Sequence, residues 1–143
     1  MLLDDITNYI AASTSLSVSL TVGSNLFKTP APETVASTEE HLVEVLEYGG
    51  RSPMRAMGAS KSDPVAEITR FQVAVISNSS TFEAGRTLIE EIKDELDYLS
   101  EATLGSTRYL QVKMVQPPMY WSPEAPSGQH HFTASFEAMK ERG

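Results

Sequence analysis

AEITRFQVAVISNS, residues 66–79, is the stretch that decides the fold. Its apolar residues alternate with polar ones, and a period of two places one set on a single face of an extended strand. That face carries Thr69, Phe71, Val73 and Val75. The pattern predicts a strand over residues 66–77 whose apolar face belongs to the core.

A helix is predicted directly after this strand. Ser79, Ser80 and Thr81, followed by Glu83, supply the side chains that cap a helix N-terminus. Apolar residues then recur every three or four positions, at Ala84, Leu88, Ile92, Leu96 and Leu99. The predicted helix covers residues 81–100. Its other face is strongly acidic and carries Glu90, Glu91, Lys93, Asp94, Glu95 and Asp97.

Outside this strand and helix, the sequence predicts one more helix and three more strands. Residues 2–12 have apolar residues at helical spacing, and residues 13–41 form a connecting segment with a short extended piece at Leu26 and Phe27. Strands are predicted over 42–48, 108–116 and 130–138, with loops over 49–64 and 117–129.

The order of these elements is helix, strand, strand, helix, strand, strand. Two pairs of strands with one long helix between them predict an α+β fold. We expect a two-layer sandwich: a mainly antiparallel sheet of about four strands, an N-terminal helix and one long central helix. At 143 residues the chain has the size of a single domain, residues 1–143, with one hydrophobic core.

The composition limits the cellular setting. Cysteine is absent, which excludes disulfides and thiolate metal sites, so we expect synthesis in a reducing, intracellular compartment. No apolar run approaches the roughly 18 residues that a membrane span needs. The first residues, MLLDDITNYI, carry aspartates where a signal peptide has basic residues. We expect a soluble protein that has no membrane partner.

The charge of the chain argues against a nucleic-acid-binding surface. The formal net charge is −8, from 11 basic and 19 acidic residues. A protein that neutralises phosphates along a nucleic acid needs an excess of lysine and arginine. Repulsion of DNA is the natural consequence of this composition.

The sequence lacks the motifs of common catalytic sites. YGGRS has neither the lysine nor the following helix of a phosphate-binding loop, and no serine lies in a G-x-S-x-G turn. A metal-dependent nuclease core has an acidic residue followed by a Glu-x-Lys element. Asp63 and Glu67 are present, but no lysine lies two residues after Glu67. Glu91 and Glu95, four residues apart, offer an acid–base pair on paper, but charges on a helix normally form a solvated face. We expect no catalytic residues, no cofactor and no enzyme activity.

The adjacent histidines His130 and His131 are the metal candidate. Neighbouring residues of a strand point to opposite faces, so the two rings do not converge easily on one ion. The third histidine, His41, opens a predicted strand and has no partner in the sequence. Histidines at a strand end, one packed and one solvated, are the favoured interpretation, and no metal site is expected.

Residues 116–132, QPPMYWSPEAPSGQHHF, contain four prolines and the only tryptophan. The prolines are expected to end the preceding strand and to stiffen the loop. Met119, Tyr120 and Trp121 then line a ligand cleft or anchor a protein interface, and aromatic and methionine side chains on a stiff loop favour the interface.

A second candidate interface lies in the loop over residues 49–64, the one locally basic part of the chain. Its basic and methionine side chains are Arg51, Met54, Arg55, Met57 and Lys61. Solvated loop charges are the simpler interpretation, and a partner with an acidic rim is the functional one.

Several of these segments together resemble the minor capsid and tail-completion proteins of tailed bacteriophages, in particular the tail-terminator group. The resemblance covers residues 40–138 best. It lies in the N-terminal helix and in NLFKTPAP, VEVLEYGG, FQVAV, AGRTLIEEIKDEL, QPPMYW and GQHHFTASFEA. These are patterns of strand endings and of one helix, without invariant chemistry.

The resemblance implies a structural subunit without an active site. Such subunits close into a ring, here expected to be a hexamer, at the end of the tail tube nearest the head. The ring stops polymerisation of the tail-tube protein and contacts a head-completion or connector protein. DNA passes through without specific binding. The implied location is the neck region of the virion tail, after assembly in the host cytoplasm.

The acidic helix face then becomes a candidate lining of the channel, because it would repel DNA phosphates. The candidate channel-facing residues are Glu90, Glu91, Asp94 and Asp97. Two alternatives stay open. One is a head-closure or head–tail joining protein of the neck; the other is a small-molecule-binding α+β domain that uses the Trp121 loop as its cleft.

Overall fold

The fold is described by a computed structural model, which places residues 2–28, 41–54, 66–77, 82–97, 99–121 and 130–141. Within these residues there are two helices and six strands. The helices are α1 (Leu2–Ala12) and α2 (Phe82–Asp97). The strands are β1 (Leu26–Phe27), β2 (His41–Met54), β3 (Ala66–Ser77), β4 (Ser100–Leu104), β5 (Thr107–Trp121) and β6 (His130–Glu141).

All six strands belong to one mixed sheet in the order β1-β2-β3-β6-β5-β4. β1 pairs with β2 in parallel, and every other pair is antiparallel. The expected two-layer sandwich of about four antiparallel strands with one long central helix is therefore wrong. The protein is mostly sheet, curled into a half-barrel, with two helices. The short edge strands β1 and β4 carry too few residues to show a period in the sequence.

Helix α1 lies against both ends of the strand order, which shows how far the sheet curls. It packs against β1 and β2 at one edge and against β4 at the other. Polar contacts reach both edges as well, because Asp4 pairs with Lys28 just after β1, and Asp5 accepts a hydrogen bond from Tyr109 of β5 at 2.6 Å. The helices therefore lie on the concave face of the sheet.

The buried face of α1 follows directly from its sequence. Leu2, Ile6 and Ile10 recur every four residues and are buried. Asp4 and Asp5 lie in the first turn, where negative charge interacts favourably with the helix dipole. Residues 2–12 thus form a helix whose apolar stripe closes one side of the core.

The centre of the core lies between the sheet and α2. The rings of Phe71 and Phe136 stack across neighbouring strands, with centroids 5.3 Å apart. Helix α2 contributes four fully buried side chains, Leu88, Ile89, Ile92 and Leu96. Gly85 lets the helix approach β3, since a Cβ there would lie 2.0 Å from Ser77 Oγ.

Two strands continue into segments that the sequence predicts to be loops. β2 runs to Met54 and β5 runs to Trp121, because register shifts absorb the residues that do not fit a regular ladder. One shift lies between Glu47 and Gly50, and another lies between Gln116 and Met119, where the chain has two prolines. Such β-bulges bend a strand without ending it.

Candidate functional site

The bulged end of β5 presents the largest exposed apolar side chains of that strand. Val115, Met119 and Tyr120 have relative exposures of 42%, 47% and 48%. Pro117 and Pro118 lack the N–H groups needed for regular pairing, which suits a bulge and protects an edge from pairing with another strand. This end of β5 therefore offers side chains, rather than a free backbone edge, to a partner.

Neighbouring side chains hold Tyr120 in place. Its hydroxyl lies 2.9 Å from His130 Nδ1, and its ring centroid lies 5.5 Å from that of Phe132. Phe132 is buried, so the tyrosine ring rests on the core at one end and meets solvent along its other side. A side chain that is already ordered loses little conformational entropy when it binds.

A cavity of about 270 Å³ opens between this end of β5 and the first turns of α2. Helix α2 lines it with Arg86, Ile89 and Glu90. The sheet supplies Pro118, Met119, Tyr120 and Phe132. The cavity has apolar walls with one cation and one anion on the helix side. Its volume lies just below the roughly 300 to 1,000 Å³ of sites for drug-sized ligands, so it has room for a side chain of a partner or for a small molecule.

The predicted interface residues separate into two groups in the structure. Met119 and Tyr120 lie together beside the cavity, and the backbone of Trp121 continues β5 opposite His131. Arg51 and Met54 lie in the last residues of β2. The remaining residues, Arg55, Met57 and Lys61, lie outside the described residues, so the grouping of the basic loop stays a prediction.

Two glutamates of α2 bind a strap formed by residues 15–20. Glu91 accepts hydrogen bonds from the backbone N–H of Ser17 at 3.1 Å and from its Oγ at 2.7 Å, and Glu95 accepts one from Ser15 Oγ. Four residues of helix rise about 6 Å and two residues of extended chain rise about 6.6 Å. Because these two spacings match, Ser17 can bind Glu91 while Ser15 binds Glu95.

The other predicted channel-facing residues have different surroundings. Glu90 and Asp94 share the ammonium group of Lys93, at 3.2 and 3.3 Å, and these two carboxylates raise the pKa of Lys93. Asp97 accepts a hydrogen bond from the backbone N–H of Met114 at 3.2 Å. Glu90 and Asp94 are thus the members of the set without a hydrogen bond to the strap or to β5 in the described part of the chain.

The histidines lie along one end of the sheet. His130 contacts Tyr120 on the concave side, whereas His131 is its neighbour in the strand and points to the other face. Burial lowers the pKa of His131, and the nearby Glu44 carboxylate opposes this effect. His41 Nδ1 lies 3.0 Å from Ser77 Oγ inside the core. Among the described residues, no cluster of three or more metal-ligating side chains occurs.

Sequence reasoning missed two sets of contacts. The pairing of Asp5 with Tyr109 joins residues far apart in the chain, and no local pattern indicates it. Burial and the carboxylate of Asp5 raise the pKa of this tyrosine. The strap does carry a signal, because Leu16, Val18 and Leu20 alternate with serines and pack on the core.

No helix in the described ranges has the length and apolar character needed to cross a membrane.

Comparison with known proteins gives no matching family model and no matching curated protein. Solved structures do match. One is a chain of "Virion of native gene transfer agent (GTA) particle", with a TM-score of 0.69 and 14% identity, covering 99% of this chain and 95% of that one. A second, whose name states no function, has a TM-score of 0.51 and 16% identity, covering 99% and 92%. The chain shares its fold with a component of a virion particle.

Proposed function

We propose that the protein is a structural component of a phage or phage-like virion, and more specifically a tail terminator. In this role, six copies close into a ring at the head-proximal end of the tail, stop growth of the tail tube and join the tail to the head connector. The role is structural and not enzymatic. The observation that carries the proposal is the fold shared with a gene transfer agent virion chain over nearly the full length of both chains.

The surface chemistry is consistent with a ring subunit. A closed ring is a heterologous assembly, so each copy needs two unlike patches that meet. The exposed, preordered end of β5 with Met119 and Tyr120 supplies one apolar patch. The basic residues of the sequence over 51–61 are expected to supply a chemically different one.

The proposed channel lining includes only part of the acidic face of α2. Glu91 and Asp97 are engaged by the strap and by β5, which leaves Glu90 and Asp94 as the carboxylates that can face a channel. Their negative charge would keep DNA from adhering. The double variant Glu90→Gln and Asp94→Asn should leave rings intact and slow DNA passage; unchanged DNA ejection would remove this part of the proposal.

The experiment that tests the function adds the purified protein to polymerising tail-tube protein of the same virus. A terminator stops elongation, so electron microscopy should show shorter tubes with a ring at one end. A head-closure protein would leave tube length unchanged and would bind the head connector instead. Tubes of unchanged length without bound protein would contradict the tail-terminator assignment.

A further inference from the structure

The cavity between α2 and β5 suits an aromatic ring. Its walls at Ile89, Met119 and Phe132 are apolar, and Arg86 of α2 lies beside them. An apolar cavity of roughly 150 Å³ is enough to hold benzene. The cavity of about 270 Å³ therefore has room for a phenol ring. Since a guanidinium plane stacks on aromatic faces, apolar walls beside an arginine favour an aromatic side chain as the occupant.

Arg86 has this stacking capacity to spare. Its side chain is exposed, and it forms no ion pair with any residue that the structure describes. The other charged residue at the cavity, Glu90, is bound by the ammonium group of Lys93 at 3.2 Å. The guanidinium group of Arg86 is therefore the charged group that an incoming ring can contact.

Tyr48 of β2 is the aromatic side chain that fits this description. The large exposed apolar residues of the described ranges are Val22, Tyr48, Val115, Met119 and Tyr120. Three of these belong to β5 itself, and Val22 has no ring. Tyr48 is 42% exposed, and no hydrogen bond or ring contact to the described residues holds its side chain. Leu46, two residues earlier and half-buried, lies on the same face of the strand and enlarges the apolar patch.

Tyr48 cannot fill the cavity of its own chain. In the sheet, β3 and β6 lie between β2 and β5, and three strand spacings separate β2 from β5 by about 14 Å. The period of the strand also places Tyr48 on the face opposite Val43 and Val45, which belong to the core that α2 covers. The ring that enters the cavity must come from a second copy.

We propose that Tyr48 of one copy inserts its ring into the cavity between α2 and β5 of the next copy and stacks there on Arg86. The inference rests on the proposed ring, which it deepens by naming two unlike patches that meet. β2 and β5 are each next to last at opposite edges of the sheet, so the two patches of one copy can serve two different neighbours. Head-to-tail association requires this arrangement.

Photo-cross-linking tests the contact directly. Isotope-labelled full-length chains carry p-azidophenylalanine at position 48, which keeps an aromatic ring there, and are mixed with unlabelled wild type. Illumination should give mixed dimers whose cross-linked peptides join position 48 to Ile89 or Met119. The control chain carries the same group at position 22, because Val22 has a similar exposure, 43% against 42%. We expect several-fold more cross-linking to the cavity from position 48.

Two outcomes of the cross-linking would overturn the docking. One is a yield at the cavity no higher than in the control mixture. The other is cross-linking of position 48 to the cavity within single chains only. Mixed dimers joined at some other surface would also give no excess at the cavity and count as the first outcome.

Substitutions provide a second test, with the dissociation constant of self-association measured by sedimentation and the fold checked by circular dichroism. Tyr48→Ser should weaken self-association about tenfold, because aromatic anchors dominate interfaces, whereas Tyr48→Phe should retain it. Arg86→Gln should weaken it several-fold. The control Arg108→Gln removes the same charge from the β4–β5 hairpin and should leave it unchanged. Unchanged association of Tyr48→Ser would overturn the docking, and equal effects of the two arginine variants would contradict the stacking.

The masses of the same samples separate this inference from the ring itself. Closed rings without the specific cross-link would mean that the ring stands and the docking is wrong. A specific cross-link in open chains of copies, without closed rings, would mean that the docking stands and the ring is wrong.

Discussion

At the residue scale, buried polar contacts join α1 to strands that are distant in the sequence. Tyr109 donates a hydrogen bond to the Asp5 carboxylate in a buried setting, and Gly105 faces the same carboxylate with a positive φ of 61°. A Cβ at Gly105 would lie 2.8 Å from Asp5 Oδ1, so glycine is needed both for its conformation and for space. These residues fasten α1 to the β4–β5 turn.

Replacing Tyr109 by Phe should destabilise the fold by about 1–3 kcal/mol, because a buried carboxylate loses one of its hydrogen-bond donors. Urea unfolding followed by circular dichroism measures the change. Tyr120→Phe is the matched control, since that hydroxyl lies at the surface, and it should cost less. Equal losses of unfolding free energy for the two substitutions would mean that the contact with Asp5 contributes no more to stability than a surface hydroxyl does.

His131 should make stability depend on pH. Burial lowers its pKa in the folded chain below the ordinary value of 6.5, so the unfolded chain binds this proton first as the pH falls. The free energy of unfolding should therefore decrease as the pH drops below about 6.5 toward the lowered pKa. His131→Gln should reduce this decrease between pH 7.5 and 5.5, whereas His130→Gln should retain it. An identical pH dependence in wild type and His131→Gln would refute the prediction.

Some of these residue-scale features were predictable from the sequence. The opposite orientation of His130 and His131 follows from the period of a strand, and the structure has it. The pairing of Asp5 with Tyr109 was not predictable, because it depends on how far the sheet curls. The sequence gives no local sign of a contact between residues that are 104 positions apart.

At the element scale, the strap accounts for two of the six acidic residues of α2. Ser15 and Ser17 bond to Glu95 and Glu91, while Leu16 and Val18 pack against the core. The strap and α2 run in opposite directions with matching spacing. The sequence predicts a solvated charged face on α2. Two carboxylates of that face instead hold an extended segment along the helix.

Removing both carboxylates with Glu91→Ala and Glu95→Ala should free the strap. Thermolysin, which cuts before apolar residues, should then cleave near Leu16 faster than in wild type, with a loss of stability of about 1–2 kcal/mol. Glu90→Ala with Asp94→Ala is the control, and it removes the same charge from the same helix. Equal cleavage of both variants would show that the strap does not depend on these contacts.

The elements with a long period were the predictable ones. β3 and α2 show their alternation and their helical repeat over many residues, whereas β1 has two residues and β4 has five. β4 also includes Glu101 with a positive φ of 50°, which interrupts a regular strand. The extension of β5 past two prolines could not be foreseen, because a bulge depends on the register of the neighbouring strand.

At the scale of the whole molecule, the strand order makes the difference between the expected sandwich and the observed half-barrel. β6, the last strand, lies between β3 and β5, and α1 closes the gap between the edges. The sequence pattern predicts where strands lie along the chain, but it does not predict which strands are neighbours in the sheet. The end of β2 at Met54 and the cavity beside β5 lie toward opposite ends of the strands.

The mass of the purified protein under native conditions tests the central claim, head-to-tail closure into a ring, most directly. Native mass spectrometry over a range of concentrations should show a discrete closed species of six times the 15.6 kDa chain, with few intermediates. Shorter open assemblies should convert to that species as concentration rises. A monomer, or a two-fold dimer that grows no further at any concentration, would contradict the account.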